Sequence, residues 1–460
     1  MNDSGLVENL FNLLRQISYA LPDPRPRAKW IELALGWLCS PKPKTYTSVL
    51  EWLGREQEDW SWAYRLGSQT QWDPVDLFAP ILYRAMQFNG PVGQPVFSVQ
   101  DDTLLRKSGR RIPGTTYARD PLSPAFHVNL VLGQRFLQTT LLVPTGGADR
   151  PWRSIPISFR HTPPLKAPRG ATPEVKAAVK EARKYHNLCT MAAEELAHLR
   201  TQVDQTPEGA ARLLIHSVDG GYAKKSFLTA IPARTTVVFR LRKDAHLHLY
   251  VPPSSRLGRR KYGPILPTPE QIRLDEQRPW QTVSLYVAGQ MREVSFKVLE
   301  GACWPKGAGD QPVRLLVLKA AGYRLRKGSR LLYRQPAYLG VIGPAAQTVE
   351  DRIYIQSYVE RWEIEVNHHD EKDGLGIGQA QVWNGQSVPR TPALEVCCYA
   401  ALLLSSICTF ADRRTEAFGP LPKWRKTVPQ RPSLRDLLRL TRREAKRYLS
   451  QAPAAQELAA

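Results

Sequence analysis

Hydrophobic and polar positions divide the chain into segments of different periodicity. Residues 1–90 carry apolar residues at helical spacing, interrupted by Pro-rich breaks such as LPDPRPR, which predicts a small helical unit. From Pro95 the pattern changes to short β-rich runs bounded by Gly or Pro, namely PVFSVQDD, FHVNLVLGQ, RFLQTTLLVP and SIPISFR. Each of these runs is predicted to be a strand.

The next segment alternates helices with strands. A long helix is predicted over 172–204, with Thr172 as its N-cap. The strand RLLIHSVD ends at Asp219, and after a short Lys-rich helix the strand TTVVFRLR covers about 235–242. Strands followed by helix, strand, helix and strand predict an α/β sheet with helices packed on it.

Residues beyond 250 suggest an interrupted core. The pattern is all β up to residue 345, a helix is predicted over 347–372, and an apolar helix follows at 393–410. The predicted organisation is a helical region (1–90), a first part of the α/β core (91–250), a β-rich insertion (251–345), a second part of the core (346–412) and a basic helical C-terminal region (413–460).

The net charge of the chain indicates which class of partner it binds. The 460 residues include 64 Lys and Arg against 42 Asp and Glu, a formal charge of +22. A surplus of this size favours an extended polyanion, most often nucleic acid, over a membrane surface. No apolar run reaches the roughly 18 to 20 residues of a membrane span, so we interpret 397–410 as a buried helix.

The N-terminus and the cysteines point to the cytoplasm. The first residues carry an acid instead of a basic leader, so no secretory signal is predicted. The six cysteines contain no C-x-x-C pair, which fits a reducing compartment and excludes a zinc ribbon or finger. We therefore expect a cytoplasmic protein that acts on DNA or RNA.

One helical stretch, YVERWEIEVNHHDEK (358–372), carries candidate chemistry. Tyr358, Arg361, Glu365 and Lys372 lie at offsets 0, +3, +7 and +14, within roughly 60° of one another around a helix. A carboxylate beside a hydroxyl, a guanidinium and an ammonium suits a phosphate diester with metal ions. The alternative is a solvated helix face with ion pairs.

Two metal ions about 3.5 to 4 Å apart require further acids. Asp101 and Asp219 each follow an apolar strand, and carboxylate oxygens are the ligands that Mg²⁺ prefers, with Mn²⁺ as a substitute. Asp102 is a rival to Asp101. Strand alternation puts the two on opposite faces, so only one can bind the metal, and we choose Asp101.

This set of residues resembles the DDE transposases of bacterial insertion sequences, over about residues 20 to 445. The signature Tyr-x2-Arg-x3-Glu-x6-Lys of one group of these enzymes is matched at all four places. Asp102-Thr103 after the first aspartate, the DGGY run (219–222) and the β insertion also match. The resemblance implies an RNase H-like fold with Asp101 on the first strand, Asp219 on the fourth and Glu365 on the helix after the insertion.

The reaction implied by this resemblance has two parts. A metal-bound water cuts the phosphodiester at the transposon end, and the freed 3′-hydroxyl attacks target DNA. Arg361, Tyr358 and Lys372 would hold phosphates near the cut end. Related enzymes use them around a DNA hairpin, which needs an aromatic wedge. Trp304 and Trp280 lie in the predicted insertion, and no local motif selects either.

Other charged residues are interpreted as structural. Glu360, Glu363 and Glu371 are predicted to be solvated or ion-paired, and His368 and His369 diverge on a helix. The loop GLGIGQ (374–379) follows a helix instead of a strand, so we reject it as a nucleotide site. In the basic tail we favour contact with phosphates over a merely solvated face, with these candidates: Arg413, Arg414, Lys423, Arg425, Lys426, Arg442, Arg443, Lys446 and Arg447.

The sequence thus predicts a transposase that binds the terminal inverted repeats of its element and target DNA as double strands. A homodimer is expected because two ends must be joined in one event. Two alternatives stay open. One is an RNase H-like nuclease without strand transfer, and the other is a domesticated DNA-binding protein that has lost the reaction.

Overall fold

A computed structural model of the chain describes residues 5–41, 43–90, 93–120, 123–124, 126–145, 152–256, 258, 261–287, 289–320, 322–323, 328, 330, 332–333 and 335–451. The described helices lie at both ends of the chain and between the strand-rich segments. Their bounds are α1 (Leu6–Ser18), α2 (Arg27–Cys39), α3 (Tyr46–Leu53), α4 (Ser61–Ser68), α5 (Pro74–Met86), α6 (Pro173–Tyr185), α7 (Leu188–Asp204), α8 (Lys225–Leu228), α9 (Pro269–Leu274), α10 (Pro305–Ala308), α11 (Asp351–Glu360), α12 (Trp362–His369), α13 (Ser387–Phe410) and α14 (Leu434–Gln451).

The strands are β1 (Val96–Arg106), β2 (Thr116–Arg119), β3 (Leu130–Val143), β4 (Arg153–His161), β5 (Leu214–Val218), β6 (Thr235–Arg240), β7 (His248–Tyr250), β8 (Tyr262–Ile265), β9 (Gln281–Val287), β10 (Gln290–Cys303), β11 (Pro312–Leu318), β12 (Gly322–Tyr323), β13 (Leu332–Tyr333) and β14 (Ala337–Ile342). Twelve of them form one sheet in the order β2-β3-β1-β5-β6-β14-β11-β10-β7-β8, with β4 on β3 and β9 on β10.

One end of this sheet has the predicted RNase H-like arrangement. Strands β4, β3 and β1 are antiparallel neighbours, and β5 and β6 then run parallel to β1. The predicted mixed α/β class is confirmed. The strands of 251–345 are hydrogen-bonded to the same sheet, because β14 pairs with both β6 and β11.

Two apolar layers cover the sheet. Phe97, Val99 and Ile215 face Tyr354 and Ile355 of α11 on one side. The other side packs against α7 and against the N-terminal helices, which surround α13. Helix α13 is long and apolar enough to cross a membrane, but 83% of its apolar window is buried inside the protein. It is therefore the core helix that the sequence predicts.

Three element boundaries differ from the sequence prediction. The runs FHVNLVLGQ and RFLQTTLLVP contribute to a single strand, β3. Gly133 inside it marks a close approach instead of a turn, since a Cβ there would lie 2.7 Å from the carbonyl oxygen of Leu105. The helix predicted over 172–204 is divided into α6 and α7, because Asn187 starts a new helix through a capping box with Thr190.

The helix predicted over 347–372 is also divided. It consists of α11, α12 and a π-helical turn over Asp370–Leu375, with Arg361 at the junction of the first two. The backbone of Arg361 stays in the right-handed helical region, so the chain continues in nearly the same direction. Lys372, the last residue of the signature, lies in the π-helical turn, so its position differs from the one that a regular α-helix predicts.

Candidate active site

Asp101 and Asp219 lie side by side at one edge of the sheet. In the parallel pair β1–β5, the last residues in register are Gln100 and Val218. The next residues are the two aspartates, and Asp219 keeps an extended backbone with φ −75° and ψ 167°. Paired residues of neighbouring strands project to the same face, with strands about 4.8 Å apart. The two carboxylates therefore share the face covered by α11 and α12.

A buried hydroxyl pair fastens the helix layer to this part of the sheet. Ser217 Oγ and Ser357 Oγ are 2.8 Å apart, and both side chains are fully buried. Ser217 precedes Asp219 by two residues on the same face of β5, and Ser357 precedes Arg361 by one helical turn. This contact sets the position of Arg361 relative to Asp219.

Arg361 connects two of the three predicted acids. Its Nη1 is 3.4 Å from Asp101 Oδ2 and 3.8 Å from Glu365 Oε1. Burial lowers the pKa of this guanidinium, but nearby Tyr358, Asp101, Asp219 and Glu365 together raise its pKa above the usual value. The guanidinium of Arg361 is thus influenced by the acids that follow or lie on β1 and β5 and by the acid on α12.

Burial is the main influence on the protonation of Asp101. Burial raises the pKa of Asp101 to about 7, Arg361 opposes that shift, and Asp102 and Glu365 add to it. A carboxylate that is buried beside two others is disfavoured unless a cation compensates it. A divalent ion is such a cation.

Asp102 lies on the opposite face, as strand alternation predicts. Tyr222 of the DGGY run donates its hydroxyl to Asp102 Oδ1 at 3.1 Å, and Arg135 Nε is 3.3 Å from Asp102 Oδ2. Thr103 returns to the face of Asp101. There its Oγ1 accepts a hydrogen bond from Lys372 Nζ at 3.0 Å.

Two of the four signature residues therefore contact the same face of β1 despite the broken helix, and the other two contact Arg361. Arg361 reaches Asp101, and Lys372 reaches Thr103 two residues further along β1. The guanidinium of Arg361 also lies 5.7 Å from the centre of the Tyr358 ring. Burial raises the pKa of Tyr358, so its hydroxyl stays protonated at neutral pH.

The donor set suits a divalent ion by its chemistry. Asp101, Asp219 and Glu365 offer only carboxylate oxygens, the ligands that hard cations prefer. Within the described residues, no three acidic, His or Cys side chains converge into a finished metal cluster. The guanidinium of Arg361 lies between Asp101 and Glu365 in this structure.

The prediction that the neighbouring glutamates are solvated or ion-paired is wrong for two of them among the described residues. Glu360 and Glu371 are buried, and burial raises the pKa of each to about 8. Glu371 accepts a hydrogen bond from Gln138 Nε2 at 2.6 Å. Glu363 is ion-paired as expected, with Arg431 Nη1 2.8 Å from its Oε2. A helical wheel could not reveal this burial, because the covering residues come from distant strands.

The histidines and the glycine loop are structural. His368 is buried, and burial, then Lys372 and Arg361, lower its pKa to about 3, while His369 is exposed. In the loop 374–379, Gly378 N donates to Glu395 Oε2 at 3.1 Å, and Gly378 O accepts from Lys107 Nζ at 2.6 Å. The loop therefore joins β1 to α13.

A cavity of about 780 Å³ opens beside Asp219. Trp304 lines it and stacks on Phe239 with ring centres 6.0 Å apart. Trp280 is not part of this lining and lies between Lys297 and Lys319. Four basic residues also line the cavity and were not predicted as site residues from the sequence. They are Arg240, Arg242, Lys243 and Arg273. Their position in the sequence, at or just after the end of β6 or in α9, could have indicated them.

The candidates in the basic tail divide into two groups. Arg442 Nε donates to the carbonyl of Cys39 at 2.8 Å, and Arg443 Nη2 donates to the carbonyl of Ala417 at 2.5 Å. These two cap neighbouring segments. Arg425 and Lys426 are exposed beside Trp424, which is 81% exposed. The side chains of Lys446 and Arg447 lie outside the described residues.

Comparison with known proteins identifies one family. A family model described as DDE superfamily endonuclease matches residues 22–297, more than half of the chain. The match contains Asp101 and Asp219 and ends before Glu365. No curated protein matches the chain.

Proposed function

Because the chain belongs to the DDE superfamily endonucleases, we propose that it is a transposase of a bacterial insertion sequence. It binds the terminal inverted repeats as a homodimer, cleaves the ends of the element and joins their 3′-hydroxyls to target DNA. It acts in the cytoplasm, on DNA of the nucleoid.

The placement of two acids at Arg361, with the third directly after the strand beside that of Asp101, carries this proposal. Asp101 Oδ2 and Glu365 Oε1 lie 3.4 and 3.8 Å from Arg361 Nη1. Asp219 directly follows Val218, which pairs with Gln100, the residue before Asp101. These three carboxylates would hold two Mg²⁺ ions, or Mn²⁺ in their place. When bound, such ions supply an activated water and stabilise the charge on the leaving oxygen.

The remaining signature residues bind and orient the DNA backbone. The Arg361 guanidinium, now shared between two carboxylates, donates to a phosphate oxygen of the scissile strand. Tyr358 donates its hydroxyl, because its raised pKa keeps the proton in place. Lys372 adds an ammonium further along β1, at Thr103. Together these groups select a phosphodiester over a neutral ligand.

The cavity beside Asp219 has the character of a site for an extruded nucleotide. Trp304 contributes an aromatic ring to its lining, and Arg240, Arg242 and Arg273 contribute positive charge for a phosphate. This favours Trp304 over Trp280 as the aromatic wedge. Outside the cavity, Arg425 and Lys426 remain the tail candidates for phosphate contact, since Arg442 and Arg443 donate to backbone carbonyls.

Substitution of the acids tests the assignment. The element's end is taken from the DNA that flanks the gene, where inverted repeats bracketed by a direct duplication are expected. Asp101→Asn, Asp219→Asn and Glu365→Gln should each abolish Mg²⁺-dependent cutting of this end. Asp102→Asn is the matched control, since its side chain lies on the other face. Cutting that survives any of the three substitutions refutes the site.

Strand transfer needs its own measurement. A duplex with a pre-cut 3′-hydroxyl end is incubated with plasmid DNA, and joined molecules are counted. Joined product supports the transposase. Hydrolysis without joining supports the RNase H-like nuclease, and DNA binding without either reaction supports the domesticated protein. The intact acidic set favours the first.

A further inference from the structure

Helix α6 stands apart from the body of the protein. None of its 13 residues is buried, although it contains Val175 and Tyr185, which are 42% and 74% exposed. Thr172 caps its first turn, with Thr172 Oγ1 accepting from Val175 N at 3.4 Å. A helix without a buried residue has a surface available for a partner.

The charged residues of α6 are sorted onto two sides. Lys176, Lys180, Arg183 and Lys184 lie at offsets 0, +4, +7 and +8, within an arc of about 100°. Glu174 and Glu181 lie on the far side by the same rotation, although Lys184 Nζ still reaches Glu181 at 2.6 Å. That exposed pair contributes little. Among the described residues, no carboxylate pairs with Lys176 or Lys180.

Both ends of the segment that carries α6 lie at the edge of the sheet where Asp101 and Asp219 meet. In β4, Phe159 pairs with Gln138 of β3, which in turn pairs with Asp101. The chain leaves β4 two residues later, at His161.

After α6 the chain returns to the same edge. Cys189, in the first turn of α7, donates its thiol to the carbonyl of Gly221 at 3.7 Å, two residues beyond Asp219. Helix α6 is thus carried on a segment, residues 162–187, whose two ends lie at this edge. Arg183 ties α6 to the connection that precedes it, since Arg183 Nε donates to the carbonyl of Leu165 at 2.8 Å.

We propose that α6 is a clamp that contacts the phosphates of duplex DNA next to the cleavage position. The proposal rests on the proposed function for the presence of a duplex at this edge. The stripe Lys176–Lys180–Lys184 follows the helix axis and presents a row of positive charge to a phosphate backbone. A second copy of the chain is the less favoured occupant, because two such stripes would repel each other.

The salt dependence of DNA binding tests the clamp. The triple variant K176Q/K180Q/K184Q removes three charges and leaves Arg183 in place, and Gln is a good helix former at these exposed positions. K176R/K180R/K184R is the matched control that keeps the charges. Affinity for a generic duplex is measured by fluorescence anisotropy over a range of salt concentrations. The Gln variant should lower the slope of log K against log salt by about 2 to 3, while the Arg variant retains it.

One outcome would overturn the clamp, namely a slope in the Gln variant equal to that of the unaltered protein. If sedimentation without DNA then also shows altered self-association, α6 is assigned to a contact between copies. Neither measurement depends on cutting, because binding is measured without Mg²⁺. Failure of the proposed function would instead appear as cleavage that survives loss of the acids.

Discussion

The hydroxyl pair Ser217–Ser357 joins helix α11 of the candidate site to β5, and removing one hydroxyl tests how much this contact contributes to stability. The two oxygens are 2.8 Å apart, and neither side chain is exposed. Ser357→Ala leaves the Ser217 hydroxyl buried without this partner. Such a loss costs about 1 to 3 kcal/mol, the desolvation of one uncompensated polar group.

The double variant separates the hydrogen bond from the burial of polar atoms. Ser217→Ala with Ser357→Ala replaces a polar pair by two methyl groups, and this exchange is nearly neutral. The free energies of unfolding of the two single variants should therefore not add. A coupling of about 1 to 2 kcal/mol is expected in the double-mutant cycle.

Urea denaturation followed by tryptophan fluorescence measures the four proteins of the cycle. Ser284→Ala, at an exposed strand position, is the control and should change stability by less than about 0.5 kcal/mol. Cleavage of end DNA should fall in all three serine variants, because the helix loses a directional contact two residues before Asp219. Additive stability losses, or a double variant that cuts like the unaltered protein, would refute the reasoning.

Two further predictions concern stability. Arg153 and Asp412 form a buried ion pair, with Arg153 Nε 3.1 and 3.0 Å from the two carboxylate oxygens. Asp412→Ala should therefore lower the free energy of unfolding in urea by about 3 to 5 kcal/mol, whereas Arg25→Ala, in an exposed pair, should lower it by less than about 1 kcal/mol. Equal losses would contradict the burial argument. Burial raises the pKa of Glu360 from 4.5 to about 8, so the folded protein keeps a proton that the unfolded chain releases, and stability should fall as pH rises through this window. Glu360→Gln should flatten that fall in urea titrations at several pH values, and an unchanged profile would contradict it.

The sheet edge with the aspartates could be predicted from the sequence because its signals are local. Asp101 and Asp219 each end an apolar run, and period-2 alternation assigns Asp101 and Asp102 to opposite faces. Parallel neighbours then bring the two aspartates together once the order of β1 and β5 is assumed. That order came from the family resemblance, since alternation alone does not fix which strands pair.

The parts that could not be predicted depend on distant contacts. The spacing of Tyr358, Arg361, Glu365 and Lys372 indicated a common face, but an ideal helix does not indicate that Arg361 bridges two acids or that a π-helical turn carries Lys372. The pairing of β6 with β14 joins segments about a hundred residues apart in the chain, so the predicted insertion could not be recognised as part of the core sheet. The inward direction of Arg442 likewise depends on α2 lying against α14.

The single sheet has a consequence for the energetics of DNA binding. Asp101 and Asp219 are on hydrogen-bonded neighbours in it, and the segment with Glu365 returns through β14 of the same sheet. The conformational entropy of gathering these groups is therefore lost when the chain folds, and under the proposed function DNA meets a preorganised set. The free energy of binding is, under the same proposal, available to distort the duplex at the scissile bond.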